Sequence, residues 1–351
     1  MGKRREPNFE RLNNALFCKA TDAPPLAELF HDIEVMDGLA GREVNTTEDL
    51  INFYFNFGYD YVPVDCGKWF TGYRGAEFET NSARSLREGR RKRKIFTDDV
   101  KSHFHIDNLS DFKKYDWSHH DWLRGGGDLS YFDYIAEKLP QGMKLVAWSD
   151  GIYEIFPKFV GYDNFCYALY DDIKFIEEVF YSTGERAVEA YARVAAHPAV
   201  GAVWLADDIG YTEGLLWPPE LMRKYLFPYY KRIGDAAKKN GKPFIFHSDG
   251  RLWEILPDLI EAGVNAIQPI EPKAWDAEKI IEKYGGRLCV MGTIDLDLLC
   301  RGTAFETIGM TKSHIKAYGS GGFAVGTTNT PTYYMKLENY RAMIDAANPE
   351  I

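Results

Sequence analysis

Short apolar runs alternate with longer amphipathic stretches along most of this chain. Seven apolar runs predict buried strands, at Tyr61–Cys66, Lys144–Trp148, Ala202–Ala206, Phe244–His247, Ala266–Pro269, Leu288–Gly292 and Phe323–Gly326. Apolar residues recur at helical spacing over Tyr131–Leu139, Asp171–Ala196, Pro219–Asn240, Leu252–Ala262, Asp276–Tyr284, Phe305–Tyr318 and Met335–Ala347. This alternation of strands and helices predicts a parallel sheet with right-handed crossovers.

The number of strand–helix units favours closure into a (β/α)8 TIM barrel over an open sheet. No GxGxxG or GxxxxGK[ST] motif follows a predicted strand, which disfavours a nucleotide-binding open sheet. We therefore predict a single barrel domain over residues 1–351. Residues 1–45 and 67–125 look irregular, and we interpret them as an N-terminal extension and a long excursion over the barrel.

Polar side chains follow the predicted strands at the point where each strand ends. They are Asp65, Ser149, Asp150, Asp207, Asp208, His247, Asp249, Gln268, Glu271, Thr293, Asp295 and the run Thr327–Asn329. In a (β/α)8 barrel the carboxyl ends of the strands form the face that carries the active site. The pattern therefore predicts a polar, carboxylate-rich site at this face.

The segment FIFHSDG, residues 244–250, contains the sharpest of these signals. Residues i and i+2 of a strand point to the same side, so His247 and Asp249 are expected to emerge together. The alternative is that Asp249 caps a helix beginning near Leu252. Clustered carboxylates repel one another, and a bound cation or a protonated His247 would relieve that repulsion. We therefore consider a metal held by His247 and Asp249, with Zn²⁺, Mn²⁺ or Fe²⁺ as candidates.

Composition and charge exclude some classes of function. The net charge of −10 disfavours a nucleic-acid-binding protein, although residues 84–94 hold seven Lys or Arg against one Glu. That basic run is either a solvated loop or a docking patch for an anionic partner. The five cysteines form no CxxC pair, which is typical of a reducing cytoplasm. No apolar run approaches the ~20 residues that a membrane-spanning helix needs.

Several spaced motifs resemble the uroporphyrinogen decarboxylase superfamily. These are GYDNFCYALYDDIKFIEEVF, ADDIG, PPELMRKYLFPYYKRIGDAAKKNGKPFIFHSDG, LPDLIEAGVNAIQPIEP and YGGRLCVMGTIDLDLL, with NFGYDYVPVDCG as a looser match. The resemblance covers residues 151–351 and, less closely, the earlier part of the chain. It implies a (β/α)8 barrel of the uroporphyrinogen decarboxylase type with its site at the carboxyl face.

Two branches of this superfamily fit the sequence poorly. Uroporphyrinogen decarboxylases carry an Arg-rich N-terminal motif and a His after the last strand, and this chain has neither of them. The zinc-dependent thiol methyltransferases carry His-x-Cys at the HSDG position and a further Cys after the last strand. Here Asp249 stands in place of the first Cys, and Thr327–Asn329 occupy the region of the second, which argues against a thiol acceptor.

The third branch, the methyltransferases of corrinoid-dependent O-demethylase systems, resembles this chain most. The resemblance implies transfer of a methyl group from a methoxylated aromatic compound to Co(I) of cobalamin in a partner corrinoid protein, in anaerobic one-carbon metabolism. A decarboxylase-like enzyme for another substrate, or a catalytically silent corrinoid- or tetrapyrrole-binding barrel, are the alternatives. A homodimer is expected by analogy.

Under this hypothesis the residues divide into two groups. The candidate catalytic residues are His247, Asp249, Asp207 and Asp208, of which His247 and Asp249 are also the candidate metal ligands. The candidate substrate-binding residues are Tyr61, Trp148, Tyr211, Trp217, Glu271 and Asn329. The alternative for each aromatic residue is core packing, and the alternative for Asp207 is a salt bridge or a helix cap.

Overall fold

The computed structural model describes residues 5–66, 106–114, 129–154, 160–319 and 321–348. Its helices are α1 Phe9–Leu16, α2 Ile33–Ala40, α3 Thr47–Asn56, α4 Leu109–Lys114, α5 Ser130–Lys138, α6 Tyr162–Asp171, α7 Ile173–Ala196, α8 Pro219–Tyr225, α9 Phe227–Lys239, α10 Leu256–Glu261, α11 Ala277–Tyr284, α12 Leu296–Arg301, α13 Ala304–Tyr318 and α14 Leu337–Ala347. Its strands are β1 Tyr61–Asp65, β2 Lys144–Asp150, β3 Val200–Ala206, β4 Gly210–Tyr211, β5 Gly214–Leu215, β6 Phe244–His247, β7 Ala266–Gln268, β8 Cys289–Met291 and β9 Phe323–Ala324. The basic run 84–94 lies outside the described residues.

A seven-stranded parallel sheet forms the centre of the molecule. Its strands lie side by side in chain order, β1-β2-β3-β6-β7-β8-β9, and each predicted strand falls on one of them. The strands are buried on both sides because helices separate them in sequence and cover the sheet, as βαβ crossovers require. The predicted α/β class with a parallel sheet is therefore confirmed. The short β4–β5 hairpin is a separate antiparallel pair after β3.

The N-terminal segment lies against both edges of this sheet. Leu26 forms a parallel bridge with Val325, directly after β9. The hydroxyl of Tyr61, in β1, accepts a hydrogen bond from the backbone N–H of Glu28 at 2.8 Å and donates to the carbonyl oxygen of the same residue. Residues 26–28 thus contact the first and the last strand. Closure into a complete eightfold barrel stays a prediction.

The first 45 residues are more regular than the sequence suggested. Residues 9–16 and 33–40 form α1 and α2, so the expectation of irregular structure is wrong for them. Phe9 packs so closely on β3 that a Cβ at Gly201 would lie 2.2 Å from its ring. Arg11 forms a buried ion pair with Asp60 at 2.6 Å. These contacts fix α1 across the amino-terminal end of the sheet.

One predicted helix is divided in the structure. The segment 219–240 forms α8 and α9, which meet at Leu226, where φ is −116°. Pro228 lies at the start of α9 and has no N–H to continue the hydrogen bonding of α8, so the division has a local cause. The helix predicted over Asp171–Ala196 is undivided and corresponds to α7, which begins at Ile173, and the side chain of Asp172 accepts from Phe175 N–H as its N-cap. Among the described helices, none is both long and apolar enough to span a membrane.

Candidate active site

The candidate site begins at the carboxyl end of β6. His247 is the last residue of the strand, and Ser248, Asp249 and Gly250 turn the chain away from it. Gly250 has a φ of +83°, and a Cβ at this position would lie 2.2 Å from the backbone nitrogen of Tyr211. Only glycine fits this turn. Other residues rarely adopt a positive φ of this size, and their Cβ would collide with Tyr211. The turn therefore packs the His247 loop directly against the β4–β5 hairpin.

The imidazole of His247 lies between an amide and two carboxylates. Its Nδ1 forms a short hydrogen bond with Oε1 of Gln268, which stands on the neighbouring strand β7. Its Nε2 lies 3.6 Å from Oδ1 of Asp208 and 4.0 Å from Oδ1 of Asp249. The imidazole is almost completely buried, whereas both carboxylates are partly exposed. The structure thus brings His247, Asp249 and Asp208 together at one face, with Gln268 behind them.

The bond to Gln268 determines which nitrogen of His247 is available. Oε1 of an amide can only accept, so the proton of a neutral imidazole is on Nδ1 and the lone pair of Nε2 points toward the two carboxylates. A lone pair facing two negative groups is repulsive unless a cation or a second proton lies between them. The arrangement is therefore suited to a metal ion, or to an imidazolium, at Nε2.

Asp249 lies in an environment that disfavours the negative charge of its carboxylate. Burial raises the pKa of its carboxyl group to about 6, with further increases from the charges of Asp208 and Glu271, while His247 and a hydrogen bond from Asn329 oppose the increase. The side-chain amide of Asn329 donates to both carboxylate oxygens, at 3.3 and 3.1 Å. Asp249 does not begin the next helix, because α10 starts only at Leu256. Its carboxylate instead faces the site.

The backbone of the same loop is anchored by the remaining acids. The N–H of Asp249 donates to Oδ1 of Asp208 at 2.9 Å. The N–H of Gly250 donates to Oε2 of Glu271 at 2.6 Å. The two carboxylates come from the loops after β3 and β7, the strands that flank β6. They fix the loop between them and leave part of each carboxylate open to the site.

Three side chains lie close enough together to be candidate ligands for a metal ion. One potential ligand atom from each of Asp208, His247 and Asp249 lies within 4.8 Å of the other two. One imidazole nitrogen and two carboxylate oxygens suit Zn²⁺, Mn²⁺ or Fe²⁺, and three protein ligands leave positions open for a substrate, as in catalytic zinc sites. Gln268 accepts a hydrogen bond from His247 and Asn329 donates to Asp249, so two of the three ligands are oriented as outer-sphere partners orient ligands in metal sites. The donor set therefore fits a metal.

Asp207 lies beside this cluster but points away from it. It is completely buried, and it accepts hydrogen bonds from the backbone N–H groups of residues 152, 153 and 154 at 2.8–3.0 Å and from the hydroxyl of Tyr230 at 2.6 Å. Burial raises its pKa to about 6, and these four hydrogen bonds oppose that increase. The geometry assigns Asp207 to holding the loop after β2. A direct part in catalysis stays a prediction.

Two predicted pocket aromatics are packed inside the protein. Trp217 is 5 % exposed and stacks between Tyr153 and Phe180, with ring centroids 5.5 and 5.6 Å away. Tyr61 is completely buried, and its hydroxyl is used by the backbone of Glu28. These positions agree with the core-packing alternative, and contact of either side chain with a substrate stays a prediction.

The other two aromatics differ in exposure. Trp148, at the end of β2, is 6 % exposed and stacks on the partly buried ring of Phe30 at 4.9 Å. Tyr211, in the hairpin against Gly250, is 49 % exposed.

Phe30 had no signal in the sequence, because it belongs to the N-terminal segment and not to a strand end. Gln268 carried a signal as a strand-end residue, but its role became visible only through its contact with His247.

Comparison with known proteins places this fold in a family. A methyltransferase from Methanosarcina mazei superimposes with a TM-score of 0.67 at 16% identity, over 98% of each chain. A sugar phosphate isomerase/epimerase from Parabacteroides distasonis matches with a TM-score of 0.41 at 11% identity, over 90% of this chain and 95% of that one. A search of curated proteins found no match. The family model for uroporphyrinogen decarboxylase (URO-D) matches residues 108–349, which is more than half of the sequence. The chain therefore belongs to the uroporphyrinogen decarboxylase family.

Proposed function

We propose that this protein is a methyltransferase that takes the methyl group of a methoxylated aromatic compound and passes it to Co(I) of a separate corrinoid protein. The observation that carries the proposal is the cluster of one imidazole and two carboxylates at the carboxyl ends of the strands. Thiolates suit a metal that activates a thiol, whereas nitrogen and oxygen ligands suit one that binds an oxygen. A departing phenolate presents an oxygen of that kind.

The reaction separates the methyl carbon from the ether oxygen. The electron pair of the C–O bond stays on oxygen, and the methyl carbon bonds to the electron pair of Co(I), which is a substrate supplied by the partner. Phenolate is a poor leaving group, so stabilisation of negative charge at its oxygen is where this site has most to contribute. His247, Asp208 and Asp249 would hold the metal, which when bound would supply a Lewis acid at that oxygen.

The protein's own groups support the reaction in two further ways. Gln268 keeps the proton of His247 on Nδ1, so that Nε2 is directed toward the leaving oxygen. If a proton occupies Nε2 instead of a metal, the same nitrogen would donate it to the phenolate. Tyr211 offers an exposed ring in the hairpin that packs against Gly250, whereas the ring of Trp148 is buried against Phe30. The cytoplasm is the proposed location, and all five cysteines are free.

The test is a methyl-transfer assay with a Co(I) corrinoid protein and a methoxybenzoate. We expect the methylated corrinoid and the corresponding phenol in equal amounts. Release of carbon dioxide without methylation of the corrinoid would instead support a decarboxylase, and neither product would support a silent binding protein. Elemental analysis of the active protein decides between the metal and the proton at Nε2.

A second prediction concerns Gln268. Replacement by methionine, Gln268→Met, keeps the length of the side chain but removes the acceptor for Nδ1 of His247. We expect the affinity for Zn²⁺ to fall by about 10–100-fold, because the imidazole loses the contact that fixes its proton and its orientation. Isothermal titration with Zn²⁺ measures the change. Gln141→Met, at an exposed turn, is the matched control, and equal affinities of the two variants would contradict the proposed role of Gln268.

A further inference from the structure

A buried carboxyl group lies behind the last strand, outside the cluster described above. Glu28 is 1 % exposed. Its Oε1 accepts from the N–H of Thr327 at 2.9 Å and from the hydroxyl of Tyr340 at 3.3 Å, and its Oε2 lies 2.9 Å from Oγ1 of Thr327. Within the part of the chain that the structure describes, no Lys or Arg side chain pairs with it. A buried carboxylate without a cation is costly, so a proton is the natural way to neutralise it.

The hydrogen bonds of the Thr327 hydroxyl indicate independently that Glu28 carries a proton. Its Oγ1 contacts Oε2 of Glu28 and also makes a short contact with the carbonyl oxygen of Asn329. The hydroxyl has one proton, and a carbonyl oxygen and an ionised carboxylate can only accept. Both contacts are separate, linear hydrogen bonds only if Oε2 of Glu28 carries a proton and donates it to Oγ1. The hydroxyl of Thr327 then donates to Asn329.

The groups around Glu28 are consistent with a neutral acid. The titratable side chains that face it, directly or through one another, are Tyr61 from β1, Tyr340 from α14, Tyr59, His31 and Tyr54 from α3. Burial raises the pKa of Tyr59, Tyr61 and Tyr340 well above the usual value, so these phenols stay neutral. Burial also raises the pKa of Glu28 to about 8, against the hydrogen bonds from Thr327 and Tyr340.

This network reaches the candidate site through one residue. The main chain of Asn329 accepts from Thr327, and its side-chain amide donates to both oxygens of Asp249. Gly326 permits the close approach, because a Cβ there would lie 2.1 Å from the carbonyl oxygen of Ala27. We propose that Glu28 is a positioning residue held as a neutral acid, which fixes Thr327 and Asn329 and thereby aligns Asp249. The inference rests on the proposed function only in that Asp249 works at the site.

Glu28→Gln tests the protonation state, because an amide keeps one acceptor for Thr327 N–H and one donor for Thr327 Oγ1 but does not titrate. The folded-state pKa of Glu28 is raised, so its contribution to stability is complete below the unfolded value and is lost as the pH rises. Relative to Glu28→Gln, the folding equilibrium constant of the wild type should fall roughly tenfold per pH unit between about pH 5 and pH 8, and then level off. Chemical unfolding of both proteins from pH 5 to 9 measures this.

The controls separate this effect from general charge removal. Glu282→Gln, on the exposed side of α11, should keep a constant difference from the wild type across the same range. A difference between wild type and Glu28→Gln that does not change with pH would overturn the neutral acid. These measurements need neither substrate nor metal, so they stay informative if the methyl-transfer assay fails.

The link to Asp249 is tested with Thr327→Val, which keeps the shape of the side chain but removes the hydroxyl, and with Thr327→Ser, which retains it. At pH 6 we expect amide hydrogens of residues 328–330 to exchange at least ~10-fold faster in Thr327→Val than in the wild type, Thr327→Ser or Glu28→Gln. Amides of β3 should exchange equally in all four proteins. Equal exchange of residues 328–330 in Thr327→Val and wild type would overturn the positioning role.

Discussion

Replacement of His247 by alanine should abolish the proposed activity while the fold is kept. We expect the rate of methyl transfer to fall by at least ~100–1000-fold, which is the usual loss when a group that stabilises developing negative charge is removed. The affinity for Zn²⁺ should fall by more than the ~10–100-fold typical of an outer-sphere change, because a direct ligand is lost. His247 is the only nitrogen donor in the three-residue cluster of the described chain, and Nε2 is within 4.0 Å of both carboxylates.

The loss has an electrostatic cause. Without the imidazole, no side chain lies between the carboxylates of Asp208 and Asp249. Asp208 still accepts from the N–H of Asp249, and Asp249 still accepts from the side-chain amide of Asn329. Two negative charges without a cation between them repel each other, and a proton on Asp249, whose pKa burial already raises, would weaken the binding of a metal. Metal content measured by elemental analysis and the methyl-transfer rate should therefore fall together.

His197→Gln is the matched control. His197 is also buried, but it follows α7 at the amino-terminal side of β3, where Nε2 bonds to Asp133 at 3.0 Å. This change should leave metal content and methyl transfer near the wild-type values. Retention of more than about a tenth of the methyl-transfer rate in His247→Ala, with His197→Gln unaffected, would contradict the site described here.

The parallel strands were predictable because they are buried on both faces. Such strands appear in a sequence as unbroken apolar runs, and the polar residue that ends each run marks the carboxyl edge of the sheet. FIFH became β6, and the next residues formed the loop that carries Asp249. The neighbourhood of His247, Asp249 and Asp208 followed from that rule alone, since these residues end two strands that pair with each other.

The roles of Asp207 and Asp208 were not separable in the sequence. Both were predicted as candidate catalytic residues, although adjacent residues at the end of a strand point in opposite directions. Which of the two turns inward depends on Tyr230 and the backbone of residues 152–154. These groups lie far away in sequence and donate hydrogen bonds to Asp207. A strand-end pattern carries no information about such partners.

Glu28 was missed for a related reason. Its contact with Thr327 joins residues 299 positions apart, and a single Glu in an N-terminal segment without apolar periodicity has no distinguishing local pattern. The division of α8 from α9 is different, because Pro228 was visible in the sequence. The apolar spacing continues across it, and the helical pattern outweighed the local effect of proline in the prediction.

Asp207→Ala should cause the largest loss of stability. The change removes the acceptor of three backbone N–H groups and of the Tyr230 hydroxyl, and three of these four hydrogen bonds are fully buried. Each buried donor left without a partner costs about 1–3 kcal/mol, and relaxation recovers part of the sum, so we expect the free energy of unfolding to fall by about 3–5 kcal/mol. Gly151 shows how close the fit is, because a Cβ there would lie 1.9 Å from Cγ of Asp207.

Asp207→Asn separates shape from hydrogen bonding. An asparagine oxygen can replace Oδ2, which accepts three of the four bonds, but its NH₂ group then faces the N–H of residue 154. The expected loss is that of one unsatisfied donor, about 1–3 kcal/mol. Asp258→Asn, whose carboxylate pairs with Arg223 at the surface at 2.8 Å, is the matched control and should change stability much less, since solvent screens that pair. Urea unfolding ranks the variants. If Asp207→Ala were as stable as Asp258→Asn, the loop after β2 would not depend on this carboxylate, and the inward orientation of Asp207 would have no structural role.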